Sequence, residues 1–236
     1  MSMKILEVQK ISKQLWNNKV LQDVNFDVLE WEIYGFLGPN GAGKTTTMKA
    51  IMWLLVPDSG NIKVFGWDGL SIEAKKKIWF MPENTYLYKY LTGKEFLRFN
   101  GSFFGLKGKD LDARVEELLE KVGLTQAGDK FLNTYSKWML QRIGLAQSII
   151  NKPKLLFLDE PMSGLDPIGR KLIKDLLVEL RDEGTTIFFN THILADVESI
   201  CDKFSIIHQW QIVVESMKIK DLENPLEDFF IEKVSE

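Results

Sequence analysis

The sequence predicts an α/β fold, and three observations lead there. Short apolar, β-like runs alternate with helical patterns along much of the 236 residues. A glycine-rich loop joins one of these runs directly to a helical stretch, and the pattern over residues 92–147 is almost wholly helical. A mixed α/β core interrupted by a helical insertion satisfies all three.

Taken in order, "ILEVQKI" (5–11) and "VLQDVNFDVL" (20–29) alternate apolar and polar residues, as half-buried antiparallel strands do. "IYGFLG" (33–38) reads as a strand that ends in the glycine-rich loop, and "KTTTMKAIMWLLV" (44–56) as the helix after it. "PDSG" (57–60) has turn chemistry and "NIKVF" (61–65) reads as the next strand. Helical patterns follow in "TGKEFLRFNGSFFG", "DLDARVEELLEKV" and "MLQRIGLAQSII", the last preceded by Ser136, a suitable N-cap. Strands return at "KLLFLDE" (154–160), "TTIFFN" (185–190) and "KFSIIH" (203–208). Between them lie the helical stretches "PIGRKLIKDLLVELRDE" and "ILADVESICD". The expected organisation is one domain over 1–236. Its α/β core covers about 1–83 and 153–215, the helical part 84–152, and a short helical tail 216–236.

Composition narrows the function. A net charge of −3 offers no electrostatic case for nucleic acid as a partner. The single cysteine, Cys201, excludes an internal disulfide and fits a reducing compartment, where it reads as a small core residue. The start "MSMKILEVQK" lacks the apolar stretch of a signal peptide, and runs such as "AIMWLLV" are too short to span a bilayer. Work at a membrane would therefore require another chain to hold this one there.

Two motifs carry the chemistry. "GPNGAGKT" (Gly38, Pro39, Asn40, Gly41, Ala42, Gly43, Lys44, Thr45) fits the phosphate-binding pattern G-x-x-x-x-G-K-[ST], and Thr46 follows it. Its glycines let successive backbone N–H groups converge on phosphate oxygens, and the helix that starts there turns its positive end toward the anion. In that pattern Lys44 reaches the β- and γ-phosphates and the Thr45 hydroxyl ligates Mg²⁺. "LLFLDE" delivers Asp159 and Glu160 to the carboxyl end of a buried strand, where such sheets bind ligands. Asp159 suits a Mg²⁺ ligand, and Glu160 suits a general base for an attacking water.

With these motifs in this order, the chain resembles the nucleotide-binding subunits of ATP-binding cassette (ABC) transporters, of the exporter-like group, over residues 3–215. "MPENTYLYKYLTGKEFL" resembles the Q-loop region, with Glu83 where glutamine is usual, and "YSKWM" occupies the place of the signature motif. "SGLD" (163–166) resembles the D-loop that contributes Asp166, and His192 in "FFNTHILADVE" matches the switch histidine. The resemblance implies a P-loop NTPase (RecA-like) core with an antiparallel β subdomain and an inserted α-helical subdomain. It implies ATP and Mg²⁺ as cofactors and a second ABC ATPase protomer, homo- or heteromeric, whose Ser136 completes each site in trans. A separate polytopic membrane permease would hold the protein at the cytoplasmic, inner face of the membrane. For adenine stacking, the register leaves Leu15 and Trp16 as alternatives. A weakly hydrolysing ATP-binding module and a soluble, non-transport ABC ATPase are the rival readings.

The tryptophans at 16, 31, 53, 67, 79, 138 and 210 stand where the resembled family places glycines. Glycine supplies φ > 0 freely and a bulky side chain does not. Translation of glycine-coding UGA codons as tryptophan would produce this pattern. The expectation is that most of these positions are glycine in the native protein, and that the Trp138 indole obstructs the approach of a partner's γ-phosphate.

Overall fold

The computed structural model describes residues 3–84 and 86–235; Thr85, inside the Q-loop-like segment, lies outside the described residues with Met1, Ser2 and Glu236. The strands are β1 (Lys4–Leu15), β2 (Asn18–Leu29), β3 (Ile33–Leu37), β4 (Ser59–Val64), β5 (Trp67–Asp68) and β6 (Ile78–Met81). They continue with β7 (Leu155–Asp159), β8 (Thr186–Thr191), β9 (Lys203–His208) and β10 (Gln211–Lys218). The helices are α1 (Lys44–Ile51), α2 (Ile72–Lys75), α3 (Gly93–Ser102), α4 (Gly108–Lys121), α5 (Lys137–Ser148), α6 (Pro167–Asp182), α7 (Leu194–Ile200) and α8 (Leu226–Ser235).

Two sheets form. β2-β1-β4-β5 is antiparallel, as the alternation of β1 and β2 predicts. The other has the order β10-β9-β3-β8-β7-β6, parallel from β9 to β6 with β10 antiparallel at its edge. β3, β7 and β8 are buried along their whole lengths, and their side chains sort by parity. Tyr34, Phe36, Phe157 and Phe188 face the antiparallel sheet and α1, where they meet Phe26 in an aromatic cluster with centroids 5.2–5.8 Å apart. Ile33, Leu37, Leu156, Leu158, Ile187 and Phe189 face the other core, shared with α3–α7.

Helix starts follow their caps. Thr92 and Glu95 close a capping box on α3, Ser136 Oγ accepts from the Met139 N–H to start α5, and Asp166 with Pro167 starts α6. α1 is shorter than the 44–56 expected and gives way at Met52–Trp53. The stretch from 216, expected to be helical, opens instead on the end of β10. Ile212, Val214 and Met217 pack against the cores there, and α8 begins only at Leu226. β6, just four residues long, passed unrecognised in the apolar pattern.

The tryptophans divide in two groups. Trp16, Trp31, Trp53 and Trp210 have φ of 55°, 65°, 55° and 68°, the left-handed region where a β-carbon is strained. Trp67 and Trp79 lie in strands and Trp138 in a helix, so the glycine argument from backbone geometry applies to the first four only. Trp138 packs against its own chain. Its half-buried indole lies over Gly169 of α6, where an added β-carbon would come within 1.9 Å of the ring, and the Arg142 guanidinium stacks 4.6 Å from its centroid. The ring fits a slot within its own protomer.

Trp16 and Trp31 bury little, being 97% and 63% exposed, so relief of backbone strain dominates their replacement. Trp16→Gly and Trp31→Gly should each stabilise the fold by about 1 kcal/mol. Trp138→Gly should destabilise it by more than about 1 kcal/mol, through the lost packing of the indole against Gly169 and Arg142. Urea unfolding of the three variants checks both signs, and glycine-coding UGA at the four strained positions would be found by sequencing the gene.

Candidate functional site

The site assembles at the carboxyl ends of β3, β7 and β8, which the order β3-β8-β7 makes neighbours. β3 runs into the loop 38–43, in which Gly41 and Gly43 take φ of 80° and 111° and turn the chain into α1. The Lys44 ammonium, only 7% exposed, donates to the carbonyls of Gly38 at 2.7 Å and Pro39 at 3.2 Å. Burial lowers its pKa, against the opposing pull of Glu160, Asp159 and Glu83. A partly desolvated cation aimed along a loop of backbone donors is a site for anionic oxygens. Ala42 lies buried beneath the loop, its carbonyl accepting the Trp210 N–H at 3.2 Å.

Two carboxylates face that loop. Thr45 Oγ1 donates to Asp159, 2.9 Å from Oδ2 and 3.2 Å from Oδ1. The Asn190 amide donates to the same Oδ1 at 3.0 Å. Glu160 Oε1 is 2.9 Å from His192 Nδ1 and 3.9 Å from Lys44 Nζ, while its buried Oε2 has no hydrogen-bond partner. With the carboxylate ionised, the Nδ1–H of His192 is the donor. Glu160 also holds a left-handed backbone, φ 50°, with its N–H pinned to the Asn190 carbonyl at 3.1 Å. A cavity of about 460 Å³ opens over these groups, lined by Asn40, Gly41, Gly43, Lys44, Thr45, Thr46, Glu83, Glu160, Ser163 and His192.

The residues singled out in the sequence thus separate. Lys44, Thr45, Thr46, Asp159, Glu160, His192 and the exposed Glu83 come together, with Gly38, Pro39 and Ala42 supporting the loop. Ser136 and Asp166 do not line the cavity. Each is spent as an N-cap, Asp166 accepting from the Gly169 N–H at 2.7 Å. Leu15 and Trp16 sit exposed at the β1–β2 hairpin, outside the cavity lining. Ser163 and Asn190 were not singled out, although a buried amide at the end of "TTIFFN" interrupts an apolar run. A hydroxyl and a carboxylate oxygen already in contact suit Mg²⁺, which keeps several ligands as water or phosphate oxygens. Behind the site, the Asp196 carboxylate of α7 is buried against Arg170 of α6 at 2.7 Å, tying the helix after Asp166 to the helix after His192.

Comparison with known proteins identifies the family and the fold. The family model described as ABC transporter matches residues 21–163. An uncharacterized ABC transporter ATP-binding protein of Nostoc sp. is 44% identical over 84% of this chain and 60% of its own length. The linearmycin resistance ATP-binding protein of Bacillus subtilis is 36% identical over 91% of this chain and 70% of its own. A solved ATP-binding subunit of an ABC transporter superposes with a TM-score of 0.87 at 30% identity, covering 97% of this chain and 99% of that one. The chain therefore spans about three fifths of the Nostoc relative's length.

Lys44 gives the site a direct test. Its removal takes away a buried cation held by loop carbonyls and 3.9 Å from the buried Glu160 carboxylate, so Lys44→Ala should lower the melting temperature of the nucleotide-free protein. ATP affinity should fall about 100-fold, the loss of one or two charge-assisted hydrogen bonds. Calorimetric titration and a thermal melt of the same sample read both.

Proposed function

From the premise that the chain belongs to the ABC transporter family, we propose that it binds ATP with Mg²⁺, hydrolyses it, and thereby powers a membrane exporter. One observation carries this reading. Lys44, the Thr45–Asp159 pair and the Glu160–His192 pair surround a single cavity at the ends of three adjacent strands. Each group has a task in phosphoanhydride hydrolysis. Lys44 and the loop N–H groups bind and orient the β- and γ-phosphates. Thr45 and Asp159 would hold Mg²⁺, which supplies charge neutralisation on the phosphate oxygens. Glu160 accepts a proton from water as its oxygen bonds to the γ-phosphorus and the bond to the departing ADP oxygen breaks. His192 keeps the Glu160 carboxylate turned toward the cavity through the 2.9 Å contact. The partnerless Oε2 supports this role, because a buried carboxylate oxygen without a donor retains its capacity to accept one.

Ser136 is exposed at the start of α5, outside its own protomer's cavity, which supports its use by a second protomer, identical or related. The exposed aromatics Tyr86, Tyr88, Tyr90, Phe99 and Phe103 lie in the segment that follows Glu83. They support docking of a membrane permease there, on the cytoplasmic face. No helix among the described residues is long and apolar enough to cross a membrane, so that permease is a separate segment or chain in this reading. Export, rather than import, takes its support from the linearmycin resistance relative.

Glu160→Gln is the deciding variant. The amide keeps the shape but accepts no proton, so turnover should drop by at least about 100-fold with ATP affinity retained. The ATP-bound variant should also elute as a dimer. Wild-type hydrolysis by this variant would remove Glu160 from the role, and failure of the unmodified protein to bind ATP would remove the reading altogether.

A further inference from the structure

We infer that Asn190 is a positioning residue for the metal-binding carboxylate: its side-chain amide sets the orientation in which Asp159 and Thr45 receive Mg²⁺ with the nucleotide. This inference rests on the reading of the site as one for Mg²⁺–ATP.

Asn190 stands on β8, between the strand that leads into the phosphate loop and the strand that carries Asp159. It is the register partner of Phe36 on one side and of Asp159 on the other. Its side chain is fully buried, and it follows Phe188 and Phe189 in a strand otherwise free of amides. An amide there is costly, because Oδ1 has no hydrogen-bond partner and an apolar side chain would carry no such loss. What the amide adds is the 3.0 Å bond from Nδ2 to Asp159 Oδ1; its other close polarizable neighbour is the Met48 sulfur at 4.0 Å.

That bond resolves an ambiguity in the site. Thr45 Oγ1 reaches both Asp159 oxygens, at 2.9 and 3.2 Å, and by itself leaves the carboxylate free to rotate. A second donor fixed on Oδ1 holds the rotation and directs Oδ2 to the Thr45 side. The donor is neutral, which matters: a lysine or arginine at this position would cancel the charge that attracts a divalent cation. The same residue also accepts the Glu160 N–H at 3.1 Å through its main-chain carbonyl. Asn190 thus registers both carboxylates against one rigid strand, in the manner of partners that orient metal ligands from behind.

The test uses Asn190→Leu, with Asn190→Ala as a second variant that removes the amide and Met48→Leu as a packing control. The full chain is titrated with Mg²⁺ in the presence of a non-hydrolysable ATP analogue, analogue binding is repeated in EDTA, and each variant is melted. Both Asn190 variants should raise the Mg²⁺ concentration for half-maximal binding by roughly 10-fold, the usual scale for loss of such a partner. Metal-free analogue binding should stay unchanged, and Met48→Leu should shift only the melting temperature. A Mg²⁺ midpoint within twofold of the unmodified protein in either folded Asn190 variant would overturn the inference, as would an equal shift in Met48→Leu. Absence of Mg²⁺-dependent binding in the unmodified protein would instead overturn the reading of the site.

Discussion

The hydrogen bond from Thr45 to Asp159 joins residues 114 positions apart, and the rest of the site depends on it. It requires the first turn of α1 and the end of β7 to lie within 3 Å of each other, although β3 and β7 are not neighbours in the sheet. β8 lies between them and must carry a side chain that tolerates two polar ends above it. The parallel order β9-β3-β8-β7 makes this feasible, because it brings all the carboxyl ends to one edge. Glu160 and His192 follow directly on the last residues of β7 and β8, and Lys44 follows the loop after β3, so their side chains turn into the cavity. Lys44, Glu160 and His192 stand where they do because these strands are parallel, adjacent and nearly matched in length.

The core beneath explains how such a site stays in place. Asp159, Glu160 and Lys44 are all nearly buried, and burying charges opposes folding unless their partners are close. The cost is carried by apolar packing on both faces of β3, β7 and β8, the aromatic cluster on one side and the aliphatic layer on the other. Packing of this kind has few soft directions, so the carboxylates rest on a rigid base. Strain is concentrated in the connections instead. Trp16, Trp31, Trp53 and Trp210 sit at turns with left-handed backbones, and within the site Glu160 does the same. Glu160 gains from it a carboxylate aimed at the cavity and a main-chain bond to β8.

What could be read from the sequence divides along the same line. The phosphate loop, the strand "LLFLDE" and the cap at Ser136 are local patterns, each specified by residues within a few positions, and all were legible; the caps at Thr92 and Asp166 are equally local but went unread. The α/β class was legible too, from alternation alone. The contributions that depend on register between distant strands were not. Nothing near residue 190 indicates that its neighbour across the sheet is Asp159, and nothing near 138 indicates that Gly169 offers a slot for the indole. β6 and β10 were lost because four residues, or an edge strand exposed on one face, carry too little apolar signal. α1 ended early because Trp53 turns the chain where hydrophobicity alone would have continued it.

The ion pair between Arg170 and Asp196 lies behind the cavity and joins two helices. α6 begins at Asp166, α7 follows His192 by two residues, and the buried carboxylate of Asp196 holds the two helices at one point near their starts. Lys174, 3.8 Å away on the next turn of α6, adds a second cation to the same carboxylate. A buried acid with two basic partners resists separation, because any opening would leave its charge unpaired. The pair thus ties the helix that follows the segment 163–166 to the helix that follows His192, and Ser163 and His192 both line the cavity.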